Sequence, residues 1–361
     1  MQTPKFSNIN TNFNSQLKSR VQAYFIEKNI TPNGNFTLYA KACVLLISYF
    51  ALYIQMVFYT PSSFLIGLAE CIVLGFVTAG IGFNIMHDGV HGSFSSKKWV
   101  NTLAGITLNL IGASKIMWYN KHNLIHHTYT NIDGVDDDIE IQPFMRLCQT
   151  QKHYKIHKYQ HFYFWLLYSF LHIFWLFKND FQKYFTQKIG GITIKKMTKS
   201  EHIGFWVAKA LYAFFMIAVP IYMVGFLPWL LGFLTFSLVT GLVISIVFQL
   251  AHTVEHTDFP LPSALTNKIE NEWAIHQIQT TANFATKSKL TSWFLGGLNF
   301  QIEHHLFPKI SHVHYPAISK IVKQTAEEMG VKYIEFKRTH HAIWSHVAYL
   351  KRLGRLDLNK A

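Results

Sequence analysis

Twenty of the 361 residues are histidine, and imidazole is the side chain most often found on a metal. Four short stretches concentrate them at ligand-like spacing. "HDGVH" sets His87 and His91 four apart, "HNLIHH" brings His122, His126 and His127, "HTVEH" sets His252 and His256 four apart, and "QIEHH" gives Gln301, His304 and His305. On an α-helix, residues i and i+4 stand about 5 to 6 Å apart at Cβ, so each stretch predicts two rings on one helical face. His127 is turned about 100° from His126, which lets a single helix serve two ions. One such pair arises by chance in a histidine-rich chain; four in succession are far more specific.

These nine imidazoles exceed what one ion takes, so two metals are expected. Without thiolates the donor set suits iron, with zinc and copper allowed by ligand type, and Cys43, Cys71 and Cys148 form no CxxC pattern or disulfide framework. Asp88, Asp136, Asp137, Asp138 and Glu303 are placed to hold ligand imidazoles in one tautomer, although the run Asp136 to Asp138 reads equally as a solvated helix start before Ile139. His276, in "WAIHQIQTTANF", is a further candidate for that supporting role. His153, His157, His161 and His172 read as interfacial or hydrogen-bonded residues. His312, His314, His340, His341 and His346 read as surface residues of a basic C-terminal segment.

What must position these residues is written in the composition. Half of the chain is hydrophobic and only 14% is charged, against about 25% charged in soluble domains, and 16% is aromatic. Four stretches, about 42–60, 64–86, 204–227 and 228–250, are apolar for the roughly 20 residues that a bilayer-spanning helix needs. They form two hairpins, turning at Pro61-Ser62-Ser63 and at Leu227-Pro228. Five Lys/Arg precede the first span, 14 lie between 87 and 203, 13 follow 250, and only Lys209 lies within a span. Since cytoplasmic segments carry the excess of basic residues, both termini, the central segment and every histidine stretch are expected on the cytoplasmic side. The net charge of +14 fits an anionic membrane surface, and with these spans no nucleic-acid partner is expected. Glu70, the one acid within the spans, is expected at a solvated end. Residues 103–114 are too short to cross and read as re-entrant or interfacial, and 161–177, "HFYFWLLYSFLHIFWLF", as an in-plane helix. The first 41 residues do not read as a secretory signal. The expectation is an all-α integral membrane protein, one domain over 1–361, with four transmembrane helices in two hairpins and a cytoplasmic helical cap holding the metal site.

The boxes HxxxH, HxxxHH and QxxHH, their order, the hairpins between them and "QIEHHLFP" together resemble the membrane fatty acid desaturases. Gln301 at the head of the third box and "HHTYTNIDGVDDDIE" resemble the front-end and linoleoyl-CoA desaturase branch, over most of the chain from "VQAYF" to about residue 330. The resemblance implies a di-iron centre on His87, His91, His122, His126, His127, His304 and His305, with His252 matching an additional histidine outside the boxes. Either His256 or Gln301 completes the set, and His256 is the expected ninth ligand. It further implies dioxygen as co-substrate and a cis double bond placed in the acyl chain of an acyl-CoA or acyl-lipid. The sequence holds no HPGG haem motif of a fused cytochrome b5 domain, so electrons are expected from a separate ferredoxin-like or cytochrome b5-like donor. Two alternatives stand: a di-iron hydroxylase with similar clusters, and a membrane metal transporter, whose ligands should lie within the bilayer.

Overall fold

The computed structural model describes residues 3–7 and 12–356. Helix dominates it. Strand among the described residues is confined to three two-residue pairings: Lys5–Phe6 with Lys268–Ile269, Lys188–Ile189 with Ile192–Thr193, and Asn283–Phe284 with Glu335–Phe336. Four helices are long and apolar enough to cross a membrane: Phe36–Phe58, Phe64–His91, Lys199–Val224 and Phe226–His252.

Their bounds differ from the sequence expectation in an instructive way. The first begins at Phe36 rather than 42, because Asn35 accepts the Leu38 N–H at 3.2 Å as a helix cap, and this draws Lys41 into the span. The second and fourth continue beyond 86 and 250 to His91 and His252. A π-turn at Gly82–Met86 carries the second span onward without a break. The first box and His252 therefore ride on the last turns of the spans themselves. Large apolar side chains such as Leu65, Ile47 and Tyr222 stay exposed on these helices, as expected of surfaces that face hydrocarbon. Glu70, expected at a solvated end, is half-buried, and one of its carboxylate oxygens is buried without a hydrogen-bond partner.

The expected interfacial segment 103–114 is a helix, Lys98–Leu110, followed by a turn. That turn is pinned from three sides: Asp180 Oδ2 accepts the Ser114 N–H at 2.6 Å, Lys209 Nζ reaches both Asp180 Oδ2 at 2.7 Å and the Gly112 carbonyl at 2.8 Å, and His172 Nε2 bonds the Ile111 carbonyl at 3.0 Å. The one lysine expected inside a span is thus paired. The aromatic stretch 161–177 belongs to a helical run from Gln160 to Thr186, broken at Phe170 and carrying a π-turn at Trp175–Asn179. It packs on the fourth span where Gly241 lies against the Ser169 and His172 backbones and Ser245 Oγ donates to the Tyr168 carbonyl at 3.1 Å.

A second helical layer closes over the histidine ends of the spans. The helix Phe13–Lys28 packs on Tyr315–Glu328 and Trp273–Gln279, burying Phe13, Leu17, Val21, Ile278, Ile318 and Val322 in one core. Each such side chain stabilises by about 1.5–3 kcal/mol relative to exposure. Against this core sits the short helix Gln301–Leu306, every residue of which is buried.

Candidate metal centre

Eight of the nine expected imidazoles converge. His87, His91, His122 and His304 form one group, and His126, His252 and His305 a second, with the ligand atoms of each group within 4.8 Å of one another; His127 groups with His304 and His305. His127 stands between the two, its ring 4.8 Å from that of His91 and 4.5 Å from that of His305. The second box does not do this as an ordinary α-helix. Residues Asn120–His126 form a π-turn, whose i→i+5 bonding changes which rings share a face. His122 and His127, five apart, bring their Nε2 atoms to 3.2 Å, and His122 Nε2 is equally 3.2 Å from His87 Nε2.

The outer nitrogens of four of the eight rings are held by named partners. His126 Nδ1 donates to Asp136 at 3.0 Å and lies 3.2 Å from Asp138; His252 Nδ1 donates to the Thr280 carbonyl at 3.2 Å; His305 Nδ1 donates to Gln277 Oε1 at 2.8 Å; His304 Nδ1 meets the Tyr315 hydroxyl at 3.3 Å. A ring that donates through Nδ1 keeps a lone pair on Nε2. The Nε2 atoms of His91, His126, His252, His304 and His305 are buried with no hydrogen-bond partner. Burial, then the neighbouring imidazoles, holds His122, His127, His304 and His305 well below the ordinary histidine range, so these rings are neutral. At His126 burial opposes charge, but Asp136 and Asp138 outweigh it and raise its basicity. Neutral, oriented imidazoles with free inner nitrogens are the form in which histidine binds a metal, and two groups fit two ions.

Other expectations are not met in the same way. His256 follows the end of the fourth span in a left-handed conformation (φ 81°), is exposed, and lies outside every group of close ligand atoms. The fourth span's helix ends at His252, so the four-residue spacing no longer places both rings on one face. Gln301 is buried, with its amide nitrogen unpartnered. His276 is buried against the Phe6 ring at 5.1 Å, away from the ligand groups; its neighbour Gln277, on a different helical face, takes the supporting role. Asp88 and Glu303 hold no ligand ring. Glu303 accepts from Asn283 at 2.8 Å and Tyr333 at 2.9 Å, and burial pushes its carboxyl up to about 7. Asp88 accepts from Ser311 at 2.8 Å and bonds His312 Nδ1 at 3.0 Å, while His312 Nε2 meets Lys41 Nζ at 3.0 Å. His312, expected at the surface, is thus buried in a link between the first span, the first box and the loop after the third box. His346, likewise expected at the surface, is buried between the Tyr168 hydroxyl at 3.0 Å and the Thr253 carbonyl at 2.6 Å. Neither histidine had a neighbouring motif to distinguish it.

Residues 61–337 match the family described as Fatty acid desaturase. The chain belongs to the fatty acid desaturase family. Its relatives include the acyl-lipid (8-3)-desaturase of Physcomitrium patens, 38% identical over 96% of this chain and 74% of that protein. The sn-1 linoleoyl-lipid 6-desaturases of Arthrospira platensis and Synechocystis sp. are 36% and 35% identical, each over 95% of this chain and over 92% and 96% of those proteins. This fatty acid desaturase carries a cavity of about 660 Å³ beside its histidines. Leu167, Leu171, Phe174 and Phe248 give it an apolar wall. Asp136, Asp138, Phe248 and Gln249, on its inner side, also border a small pocket lined by His126 and His252.

Proposed function

We propose that this desaturase is oxygen-dependent and di-iron, introducing a cis double bond into the acyl chain of a membrane glycerolipid, with its metal centre and both termini on the cytoplasmic side. The observation that carries the reading is the pair of imidazole groups with free inner nitrogens beside an apolar-walled cavity. His87, His91, His122 and His304 would hold one ion and His126, His252 and His305 the other, with His127 between them. When bound, the irons supply the oxidant, drawn from dioxygen, that removes hydrogen from an unactivated methylene, chemistry no side chain provides.

The protein's own part is placement. Leu167, Leu171 and Phe248 accept a hydrocarbon chain, and the Phe248 ring, 6.0 Å from that of His122, sets how closely the chain passes the ligands. Asp136, Gln277 and the Thr280 carbonyl lock the rings, and burial of all eight keeps bulk water from the reacting carbons. Glycerolipid rather than acyl-CoA is favoured by the relatives, whose names specify acyl-lipid and linoleoyl-lipid substrates. The orientation rests on the distribution of Lys and Arg. The net charge of +14 suits an acidic one-electron carrier, ferredoxin-like or cytochrome b5-like, as donor.

The test is the fatty acid profile of a host membrane expressing the wild type or His304→Ala, with iron measured per purified protein. A new unsaturated product and about two irons per chain, both lost in the variant, are expected. A hydroxylated acyl chain in place of a double bond would replace this reading with that of a hydroxylase.

A further inference from the structure

The helix Thr339–Leu353 carries none of the histidine boxes, yet one of its residues reaches the wall of the cavity. His346 is buried. Burial pushes its ring down to about 4, so the ring is neutral, and one nitrogen donates while the other accepts. Nδ1 lies 2.6 Å from the Thr253 carbonyl oxygen, which can only accept, so Nδ1 carries the proton. Nε2 is then the acceptor, and the Tyr168 hydroxyl, 3.0 Å away, donates to it. The same Nδ1 lies 3.1 Å from Thr253 Oγ1, whose own hydrogen is left to donate to Gln249 Oε1 at 2.7 Å. Gln249 Nε2 in turn donates to the Asp138 carbonyl at 3.3 Å.

Both arms of this network end in cavity wall. Tyr168 and Gln249 line the large cavity together with Ser245 and Phe248, and Gln249 also borders the small pocket that His126 and His252 line. Gln249 therefore stands between the space for an acyl chain and the second imidazole group. Its amide can face hydrocarbon there because both polar atoms are taken, whereas an unpartnered amide against an apolar chain is costly. Tyr168 is fixed twice, since Ser245 Oγ donates to its carbonyl at 3.1 Å and His346 holds its hydroxyl. Thr253 directly follows His252 at the end of the fourth span, so the wall and the imidazole group share one anchor. The methylenes of an acyl chain are chemically alike, so the pair that reacts is chosen by where the walls hold the chain.

Resting on the desaturase reading above, we propose that His346 is a positioning residue of this site. By holding Tyr168 directly and Gln249 through Thr253, it fixes the inner wall of the cavity and with it the methylene pair that is presented to the metal centre.

The test reads the position of the new double bond rather than the yield. His346→Asn keeps an amide nitrogen where Nδ1 stands and loses the acceptor for Tyr168; Tyr168→Phe removes the other half of the same bond at nearly unchanged volume. Each should raise the ratio of a displaced positional isomer to the wild type's main product by about two- to tenfold, the effect of one ordinary hydrogen bond, while iron per chain stays within about twofold. The double variant should shift the ratio no further than either single one, because both cut one bond. His346→Leu, which cuts both arms, should shift it most. Turnover and iron that fall together with the isomer ratio unchanged would show a merely structural role and overturn the proposal, as would additive shifts in the double variant. A readout that needs no turnover uses a phosphatidylcholine whose acyl chain carries a diazirine near its middle, photolysed on the purified full chain in detergent micelles. Attachment is expected on the peptide holding Phe248 and Gln249, and its share relative to the peptide holding Leu171 should change in His346→Asn and Tyr168→Phe. An attachment pattern that is the same in all three proteins would overturn the positioning role. A pattern that moves while the wild type forms no unsaturated product would instead overturn the desaturase reading and leave the positioning role standing.

Discussion

An imidazole turns one nitrogen toward a metal reliably only when its other nitrogen is occupied, and here the outer partners of His126, His252, His304 and His305 are identifiable. This separates residues that sequence spacing treats alike. His304→Ala removes a ring common to two of the close groupings and is expected to abolish product and lower bound iron while the protein still inserts. His256→Ala, at an exposed position after the helix end, should retain iron and activity within about twofold, as surface substitutions usually do. Equal iron loss in both variants would return His256 to the centre. Gln277→Leu strips the acceptor from His305 Nδ1 and is expected to cost about 10- to 100-fold in activity or metal affinity. His276→Leu, one residue away but packed on Phe6, should cost far less; iron content and product yield measured side by side would settle the ranking.

Elements hold these rings only because backbones approach closely and buried charges are paired. Gly89 sits inside the first box, and a Cβ there would meet the Gly105 backbone nitrogen at 2.5 Å and Ala104 at 2.6 Å. Gly89→Ala should therefore push the helix Lys98–Leu110 away from the end of the second span and disturb both His87 and His91. Reduced iron in an otherwise membrane-inserted protein is the expected result, and normal iron would show that the contact yields without cost. Lys209 and Asp180 are paired at 2.7 Å with side chains about 10% and 1% exposed. Removing one partner leaves the other charge buried, a loss of about 3 to 5 kcal/mol. Lys209→Met should lower the thermal midpoint in detergent more than Lys209→Met with Asp180→Asn does, because the double variant carries no orphaned charge. A double variant as unstable as the single would mean that the Ser114 and Gly112 contacts, rather than the charge, set the cost.

Across the whole molecule, function requires that sequence-distant histidines end on one side of the membrane. Reporters fused after Lys188 or at Ala361 are expected to be cytoplasmic. Either one on the opposite face would add a crossing, for which the helical run Gln160–Thr186 is the available segment, and would overturn the proposed orientation. The same convergence explains how the fold gathers the histidines: His87, His91 and His252 ride on span ends, while the second and fourth clusters lie in helices outside the spans, so the two imidazole groups come together only when both layers are assembled.

Local patterns were enough to announce four apolar helices, three boxes and the family, because hydrophobic length and ligand spacing are properties of contiguous residues. Spacing also brought His87, His91, His122, His126, His127, His252, His304 and His305 forward as candidates. It could not separate His252 from His256, since that distinction depends on where a hydrogen-bond ladder stops. Nor could it read His312 and His346, which have no motif and acquire their partners, Asp88 and Lys41 or Tyr168 and Thr253, from remote parts of the chain. The π-turn that brings His122 to His127, the choice of Gln277 over His276 and the meeting of Tyr168 and Gln249 on one cavity wall were likewise decided only by tertiary packing. Each depends on which backbone and side-chain groups meet in space, and a burial or hydrogen-bond preference takes effect only once that meeting has been made.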